Sequence, residues 1–491
     1  MLTTEVADIS EASGVEVYPA SLVRAEGVIY FVARSKEEKF VGAIGSDILD
    51  GYTAGEHDER PIILGPLNHA NAEAIRRQIL WTNPKAMGRG VSMSFGDLLG
   101  AAASGHVRML AEHGSGVSAA LAQLSLAEVM AAGRPAQEVL DAATWGVLQQ
   151  GHKRGFSAVA LDVRSITDVN AAVRGGYTAF ILNPCENIPP IPAGADTPQL
   201  AAMFGQIDFD TLETTGEDLA KSYVDRPLEL PDGTELLFDG PTFVRTLAKM
   251  GPALVSLVTM ARHLEQISPD NADVMVTLHE TEEPTSPHEH HFIAAEMKRL
   301  GVRIAGMGLH VPGLEEVVPY TGDRDAARQW TRIHAGIMRR NGPYKIILSP
   351  GANKLHLLGI MLEETDRQVH LQVMGATWLD ALRTVAAAEP DLFRDIYAFA
   401  IESFPSRTAG MRVSADADRL PSLPDEGVHL HPLLQRPDVR QVLYVCFPAV
   451  LTGQGGKRFR QPIYHTLLNC EELFHAFLNA SFSPWLDALA G

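Results

Sequence analysis

The sequence predicts an α/β protein built around a TIM-type (β/α)8 barrel, with a small N-terminal α+β subdomain and insertions. From about residue 90, short apolar segments alternate with long helical patterns, which is typical of a parallel sheet. Polar residues end several of these segments, at the edge where such barrels hold their active sites. With 491 residues, 46% of them hydrophobic, the chain is long enough for a large core.

Residues 1–88 differ from the rest and are predicted to form the N-terminal α+β subdomain. Val28–Ala33 and Phe40–Ile44 are short strands close together, as in a meander. Pro61–Leu64 is a third strand, and it leads into a helix near His69–Leu80.

The barrel is predicted over residues 89–440, and residues 441–491 are expected to add a strand and a helix packed on it. The strand candidates are Val91–Phe95, Ala158–Val163, Thr178–Leu182, Val274–Leu278, Val302–Leu309, Tyr344–Leu348, Val369–Val373, Met411–Ser414 and Gln441–Phe447. A closed barrel needs eight strands, so these nine candidates include one that lies outside it. Residues 184–240 lack periodicity and are rich in proline, which predicts an irregular insertion.

The net charge of -19 argues against nucleic acid or an anionic membrane as partner, because both attract basic surfaces. A small molecule is the expected partner, and homo-oligomerisation is left open. Cys185, Cys446 and Cys470 form no CxxC pair. This cysteine usage and an N-terminus without a basic start and apolar core predict a cytoplasmic protein.

Polar residues at the predicted strand ends indicate an active site. A ring of Asp, Glu and His at one mouth suits both binding of a divalent cation and movement of a proton. The residues are Asp97, Asp162, Arg164, Asn183, His279, Glu280, His310, Ser349, His370, Gln372, Arg412 and Ser414. Each alone also fits a loop or cap role, but random placement would not favour strand ends. His288, His290 and His291 instead follow Ser286-Pro287 and are expected to be solvated at a helix start.

Short segments, in shared order and spacing, resemble the tagaturonate epimerase family over most of the chain. They are Ser94–Gly100 with Gly105-His106, Leu121–Ser125, Trp145-Gly146 with Gly155-Phe156, His279–Glu282 with Thr285–Pro287, Tyr320–Asp323, Gly342–Lys345, Gly351 with Lys354, His370 with Gly375, and Val413–Asp416. The resemblance implies interconversion of tagaturonate and fructuronate, by inversion of a ketouronate carbon with a divalent metal.

The chain departs from the family pattern at several positions. The family strand G-A-D-A-D-H-L-K is here Ser157–Arg164, so both aspartates became Val159 and Leu161 and the histidine became Asp162. The family's V-D-E-T-D is Leu278–Glu282, which keeps the glutamate as Glu280. In L-H-S-G-S-D-K-F, here Leu348–Leu355, the histidine became Ser349.

By resemblance, Glu280 is the retained acid/base and His370 the retained metal ligand. Asp162 can still ligate, and His310 and His279 can rebuild the metal site for Zn, Mn, Ni, Co or Fe. Asp97 or His106 is expected to supply the second catalytic group. Lys354, Arg164, Arg412 and Gln123 are the expected substrate-binding residues.

Three functions remain open at this point. The first is a metal-dependent epimerase or isomerase of a ketouronate or related carbohydrate, acting by proton transfer or retro-aldol chemistry. The second is a metal-dependent lyase on another carbohydrate. The third is a non-catalytic homologue that binds a sugar acid, which the substituted carboxylates favour.

Overall fold

The N-terminal part of the chain folds into a six-stranded antiparallel sheet between two helices. The structure, a computed structural model, describes residues 2–491 except residues 193, 232, 269–271, 316, 408–412, 424–429 and 454–458. The elements are α1 (Leu2–Ser13), β1 (Glu16–Val17), β2 (Val23–Ala25), β3 (Val28–Arg34), β4 (Lys39–Ile44), β5 (Tyr52–His57), β6 (Arg60–Pro66) and α2 (His69–Gln78). The three strands predicted here are all present.

Alternation along β3 explains how this sheet attaches to the rest of the molecule. Tyr30 and Val32 pack in one cluster with Trp145 and Leu148, whereas Phe31 and its alternate neighbours pack with α1. Both faces of the sheet are therefore covered, which accounts for the buried character of the whole strand.

Eight parallel strands close into a barrel, as predicted. The remaining strands of the chain are β7 (Ser92–Phe95), β8 (Ser118–Ser125), β9 (Ser157–Val163), β10 (Ala179–Leu182), β11 (Leu228–Glu229), β12 (Glu235–Leu236), β13 (Asp273–Thr277), β14 (Ile304–Gly308), β15 (Lys345–Leu348) and β16 (Val369–Val373). All except β11 and β12, which pair with each other, belong to the barrel, and β16 closes it against β7.

Helices surround the barrel and extend beyond its last strand. They are α3 (Ala103–His113), α4 (Leu126–Ala131), α5 (Gln137–Gln149), α6 (Ile166–Arg174), α7 (Thr197–Ala202), α8 (Gly216–Tyr223), α9 (Gly240–Ile267), α10 (Pro287–Arg299), α11 (Arg324–Asn341), α12 (Leu355–Glu364), α13 (Ala376–Ala388), α14 (Pro390–Ser403), α15 (Pro437–Val445), α16 (Phe447–Thr452), α17 (Arg460–Asn469) and α18 (Glu471–Ala490). By length and composition alone, α9 could cross a bilayer, but 61% of its most apolar window is buried in the fold.

Seven of the nine strand candidates are barrel strands, and the eighth strand, β8, escaped prediction. The prediction of a strand at Gln441–Phe447 is wrong, because this segment lies in α15 and at the start of α16. Its buried residues recur at helical spacing, as in Val439, Val442 and Leu443. Of the candidate Met411–Ser414, residues 411 and 412 lie outside the described part, and Ser414 is in neither a helix nor a strand.

The insertion between β10 and β13 contains regular structure. Helices α7 and α8 and the two-stranded sheet of β11 and β12 lie within it, and it leads into the 28-residue helix α9. Because α9 contacts α6, α7 and α10, the insertion is anchored to the outside of the barrel rather than loosely attached.

Part of the barrel interior is apolar. Ala120, Val159, Ile181, Met275 and Ile347 come from five different barrel strands and pack in one cluster, separate from the larger core outside the wall. Buried polar side chains of β7, β15 and β16 lie beside this cluster, namely Ser92, Lys345 and His370.

Candidate active site

The carboxyl ends of three neighbouring strands bring four polar side chains together. Asp162 ends β9 in a left-handed conformation with φ of 54°, where the pairing with β10 changes register. Asn183 follows β10, and its Nδ2 donates to Asp162 Oδ1 at 3.3 Å. Arg164 Nη2 donates to Glu280 Oε2 at 2.6 Å, so the turn after β13 is tied to the end of β9. Strained backbone at such an edge is typical of functional sites.

The two carboxyl groups of this cluster have pKa values shifted in opposite directions. Burial raises the pKa of Asp162, and the negative charge of Glu280 raises it further. Burial opposes ionisation of Glu280 as well, but the hydrogen bond from Asn183 and the charges of His279 and Arg164 outweigh it and lower its pKa. Glu280 is thus the stronger acid of the pair and Asp162 the one that keeps its proton to higher pH. Such splitting is how a site assigns one acid and one base.

A cavity of about 390 Å³ lies beside Glu280. Its walls are the segment Cys185–Ile191 from the insertion, the turn Glu280–Glu283, Glu289 and two cations of α9, Arg245 and Lys249. Lys249 Nζ forms a 2.6 Å salt bridge with Glu289 Oε1. Arg245 is exposed and forms no ion pair with the residues that the structure describes. The cavity is of a size that suits a monosaccharide-sized ligand.

Sequence reasoning missed Arg245 and Lys249. They are spaced four residues apart and share one face of α9, which was a visible signal of a common surface. The sequence could not show which part of the barrel this face of α9 lies against, because the irregular insertion before α9 sets the position of the helix relative to the barrel mouth.

The four predicted metal ligands do not form a group. Among the described residues, no three His, Cys, Asp or Glu side chains are arranged to hold a metal ion. His279 Nδ1 is hydrogen-bonded with Thr277 Oγ1, and His310 Nδ1 donates to the carbonyl oxygen of Thr281 at 2.8 Å. The donor set at this mouth therefore does not fit the divalent cation that the family resemblance implies.

His370 lies on its predicted strand but is bonded to Ser92 rather than grouped with the other predicted metal ligands. It is fully buried on β16, and its Nδ1 lies 2.9 Å from the hydroxyl of Ser92, the first residue of β7. The same hydroxyl accepts from Lys345 Nζ at 2.9 Å, so its proton points to His370. Burial and the charge of Lys345 lower the pKa of His370 well below its usual value. The imidazole is thus a neutral partner of Ser92 near the amino ends of the strands.

Asp97 or His106 was predicted to supply the second catalytic group, but the contacts of both side chains are those of residues that stabilise the fold. The carboxylate of Asp97 accepts the backbone N–H groups of Leu99, Gly100 and Ala102 at 2.8 to 3.1 Å and so fixes the loop before α3. His106 is buried on α3 between Phe95 and Phe482, outside the barrel wall, with its pKa lowered to about 4 by burial. His106 is therefore separated from the cavity at Glu280.

Of the predicted substrate-binding residues, Arg164 lies in the candidate site, whereas Lys354 and Gln123 are buried and bind backbone carbonyls. Arg164 lies in the site, where it also binds Glu186 Oε1 at 2.9 Å. Lys354 is buried and donates to the backbone carbonyls of Glu315, Val318 and Ala352. Gln123 is buried and donates to the carbonyl of Val373 at 3.4 Å. Arg412 lies outside the described residues.

The sequence predicted that the histidines after Ser286 are solvated, and this prediction is wrong for His290 and His291. The helix start is correct, since Ser286 and Glu289 form a capping box. However, His290 is fully buried, with its ring nitrogens 2.9 Å from His334 Nδ1 and 2.8 Å from the Tyr344 hydroxyl, and His291 is buried as well. The prediction failed because α10 presents its polar first turn to α11 rather than to solvent.

A closed parallel barrel with a carboxyl pair at its mouth, and a cavity lined by one of the two carboxyls and by two cations, defines a barrel enzyme that acts on a small molecule. The tagaturonate epimerase family model matches residues 18–489. The tagaturonate/fructuronate epimerase of Thermotoga maritima is 27% identical over 483 residues, which are 97% of this chain and 98% of that protein. The native crystal structure of the fructuronate-tagaturonate epimerase of Cohnella laeviribosi has a TM-score of 0.89 and 26% identity, covering 99% of both chains. A two-glycerol complex of the same enzyme also gives a TM-score of 0.89, covering 100% of this chain and 99% of that one.

The chain belongs to the tagaturonate epimerase family. It is therefore an enzyme of the isomerase class, of the carbohydrate epimerase type. The two positions at which the family pattern carries aspartates, Val159 and Leu161, are packed inside the apolar barrel interior. These two positions supply no carboxylate here, so the candidate acid and base are the carboxyl groups at the barrel mouth, Asp162 and Glu280.

Proposed function

We propose that the chain epimerises a sugar acid of the ketouronate type in the cavity beside Glu280. The observation that carries the proposal is the Asp162–Glu280 pair, with pKa values shifted in opposite directions at the strand ends. The names of the relatives, tagaturonate/fructuronate epimerases, supply the class of substrate. The carbon at which these two ketouronates differ is the β carbon of the ketone and carries a hydroxyl, so it can be inverted by retro-aldol cleavage and re-addition, which begins with removal of the hydroxyl proton.

Glu280 acts as the base. Its lowered pKa keeps the carboxylate ionised at neutral pH, and it lines the cavity directly. The carboxylate removes the proton from the hydroxyl of the β carbon, the bond between the β and α carbons breaks, and its electron pair moves to the ketone oxygen, which leaves an enolate beside an aldehyde. Arg164, 2.6 Å from Glu280 Oε2, supplies positive charge beside the oxygen on which negative charge develops.

Asp162 is the acid that the site offers after the enolate has added to the opposite face of the aldehyde, when the new alkoxide takes up a proton. Its carboxyl keeps a proton to higher pH than an ordinary aspartate because it is buried next to Glu280. Asn183 holds it in place from β10, and the hydroxyl of Ser125 donates to Oδ2 at 3.3 Å. One proton leaves and one returns, so inversion requires no net change in charge.

Arg245 and Lys249 bind the carboxylate of the sugar acid. Arg245 has no ion pair within the described part of the chain, and its guanidinium can hold a carboxylate with two parallel hydrogen bonds. The carboxylates Glu282 and Glu283 on the facing wall accept hydrogen bonds from sugar hydroxyls in this arrangement.

No step of this reaction is assigned to a metal, because the described His, Cys, Asp and Glu side chains form no ligand group. Metal dependence is a separate arm of the assay. The activity of chelator-treated protein is compared with that of protein given Zn, Mn, Ni, Co or Fe.

A second candidate is a protein that binds a sugar acid without turning it over. The replacement of two carboxylate positions by Val159 and Leu161, both buried in the barrel interior, favours it. Binding without product formation is the result that separates this function from the first.

The test is conversion of tagaturonate to fructuronate, and the reverse, by the purified chain. We expect product with the unmodified protein and a loss of kcat of roughly 10² to 10⁴-fold for Glu280→Gln, which removes the base. Glu265→Gln is the control: it removes the same charge from an exposed residue of α9 outside the cavity, and it should retain kcat within a small factor. An unmodified chain without product in either direction, with or without metal, would overturn the proposal.

The cellular location proposed is the cytoplasm. Cys185, Cys446 and Cys470 are free thiols in the structure. Thiols are maintained in a reducing compartment.

A further inference from the structure

A second cavity, on the outer helical layer, carries an unusual concentration of positive charge. It has a volume of about 500 Å³ and lies between α10, α11 and the insertion. Arg226, Lys298, Arg299, Arg340 and His291 are the basic residues of its lining, and we call this set the cationic cleft. The cleft shares no lining residue with the cavity at Glu280.

The charge of the cationic cleft is not neutralised locally. Glu296 is the one carboxylate of its described lining, and it is already bonded to the Tyr223 hydroxyl at 2.8 Å and to Arg299 Nε at 2.8 Å. Arg226, Lys298 and Arg340 are exposed and form no ion pair with the residues that the structure describes. Such a cluster stands out on a chain with a net charge of -19.

Helix ends explain only part of this arrangement. Lys298 and Arg340 lie in the last turns of α10 and α11, where cations interact favourably with the helix dipole. Arg226, however, follows α8 and arrives from a different element. Arg339, next to Arg340, instead donates to the carbonyl of Glu364 at 2.9 Å and lies 3.7 Å from Asp366. Only some of the available cations therefore face the cleft.

The cleft also has the walls of a ligand site. The rings of Tyr223 and Phe238 lie 5.3 Å apart, and His291 packs edge-on against Tyr223 at 5.9 Å. Burial, followed by the charge of Arg340, lowers the pKa of His291 to about 4, so the imidazole is neutral and adds no competing charge. Apolar ring faces below a rim of unpaired cations suit an organic anion better than a solvated simple ion.

We propose that the cationic cleft binds a small organic molecule that carries a phosphate group or at least two carboxylates. Three separate cations can each pair with an oxygen of such a group, whereas the single carboxylate of a uronate uses one of them. The site is distinct from the sugar-acid cavity and independent of the reaction proposed there.

The experiment is calorimetric titration of the full chain with inorganic phosphate, pyrophosphate and citrate, at low and at physiological salt. We expect saturable one-to-one binding of pyrophosphate or citrate that weakens as salt is raised. The double variant Arg226→Gln/Arg340→Gln should weaken it by roughly a hundredfold, about tenfold for each lost charged hydrogen bond. Pyrophosphate and citrate distinguish a phosphate site from a carboxylate site.

The control is Arg77→Gln/Arg108→Gln, which removes the same charge from exposed arginines elsewhere. It should bind as the unmodified chain does. The proposal is overturned if none of the three anions binds saturably, or if Arg226→Gln/Arg340→Gln binds as tightly as the control. Since the substituted side chains are exposed, circular dichroism should show unchanged folding in both variants.

Discussion

At the scale of single residues, the proposed reaction depends on the carboxyl groups of Glu280 and Asp162. Glu280 must be ionised to act as the base, so kcat/KM should fall as pH drops through its lowered pKa. Asp162, whose pKa is raised by burial and by the charge of Glu280, is the proposed acid. Asp162→Asn removes that acid and should lower kcat by roughly 10²-fold, and an unchanged kcat in this variant would refute its role.

The exposed guanidinium of Arg245 gives a second prediction at this scale. Arg245→Gln should raise KM for a ketouronate by roughly tenfold, since a charged hydrogen-bonded contact is lost, and leave kcat within a small factor. Its effect on a neutral ketose that binds in the same cavity should be small. Arg77→Gln serves as a surface control, and equal effects on the acid and the neutral sugar would contradict carboxylate binding.

The positions of Glu280 and Arg164 after apolar strands were predictable from the sequence, and the structure brings the two side chains into contact. His370, predicted on a strand, bonds to Ser92, and His106, predicted near a helix start, packs between two phenylalanine rings. Periodicity gives the end of a strand, but the pleat and the stagger of the barrel decide which way a side chain points and at what height.

At the scale of elements, a buried salt bridge connects the N-terminal sheet to α18. Lys39 of β4 lies 2.6 Å from Glu471 Oε1, with side-chain exposures of 13% and 8%. The hydroxyl of Tyr18 and the amide of Gln149 also donate to the same carboxylate. Burial opposes ionisation of Glu471, but Lys39 and these donors lower its pKa to about 2.

Removing one partner of this contact should destabilise the fold. Lys39→Met leaves Glu471 buried with Arg34 still 3.6 Å from Oε2, and we expect a loss of roughly 1 to 3 kcal/mol in the free energy of unfolding. The double variant Lys39→Met/Glu471→Leu should recover much of that loss, and exposed Lys36→Met should be neutral. Urea denaturation measures all three, and a Lys39→Met protein as stable as Lys36→Met would contradict this description of the contact.

Elements were predicted best where apolar runs are long. The strand β8 reads Ser-Ala-Ala-Leu-Ala-Gln-Leu-Ser, in which small residues give little strand signal, so it was missed. The helix α15 was mistaken for a strand because Gln441–Phe447 is a short, nearly continuous apolar run. A run of this length cannot by itself distinguish a buried strand from a buried helix.

At the scale of the whole molecule, the fold encloses several uncharged histidines. Burial lowers the pKa of His106 and His291 to about 4 and that of His334 to about 3, and it lowers those of His290 and His370 well below the usual value of 6.5. The unfolded chain takes up these protons near pH 6.5, whereas the folded chain does not. Stability is thus complete above that pH and is lost as pH falls below it.

The consequence is sensitivity to mild acid. Each such histidine should cost about 1.4 kcal/mol of stability between about pH 7.5 and about pH 5.5, a range above the titration of ordinary carboxylates. The urea midpoint should fall markedly over this interval, and less so in His106→Gln. Equal midpoints at the two pH values would show that the histidines are not buried in the neutral form.

Glu280 is proposed to invert a sugar-acid carbon by removing the proton of its hydroxyl, so that the adjacent carbon–carbon bond breaks and re-forms. The most direct test is the conversion of a ketouronate in deuterated water, followed by NMR of the product. We predict product without deuterium at the inverted carbon from the unmodified chain, and no product from Glu280→Gln. Deuterium at the inverted carbon, or product formed at a normal rate by Glu280→Gln, would contradict this mechanism.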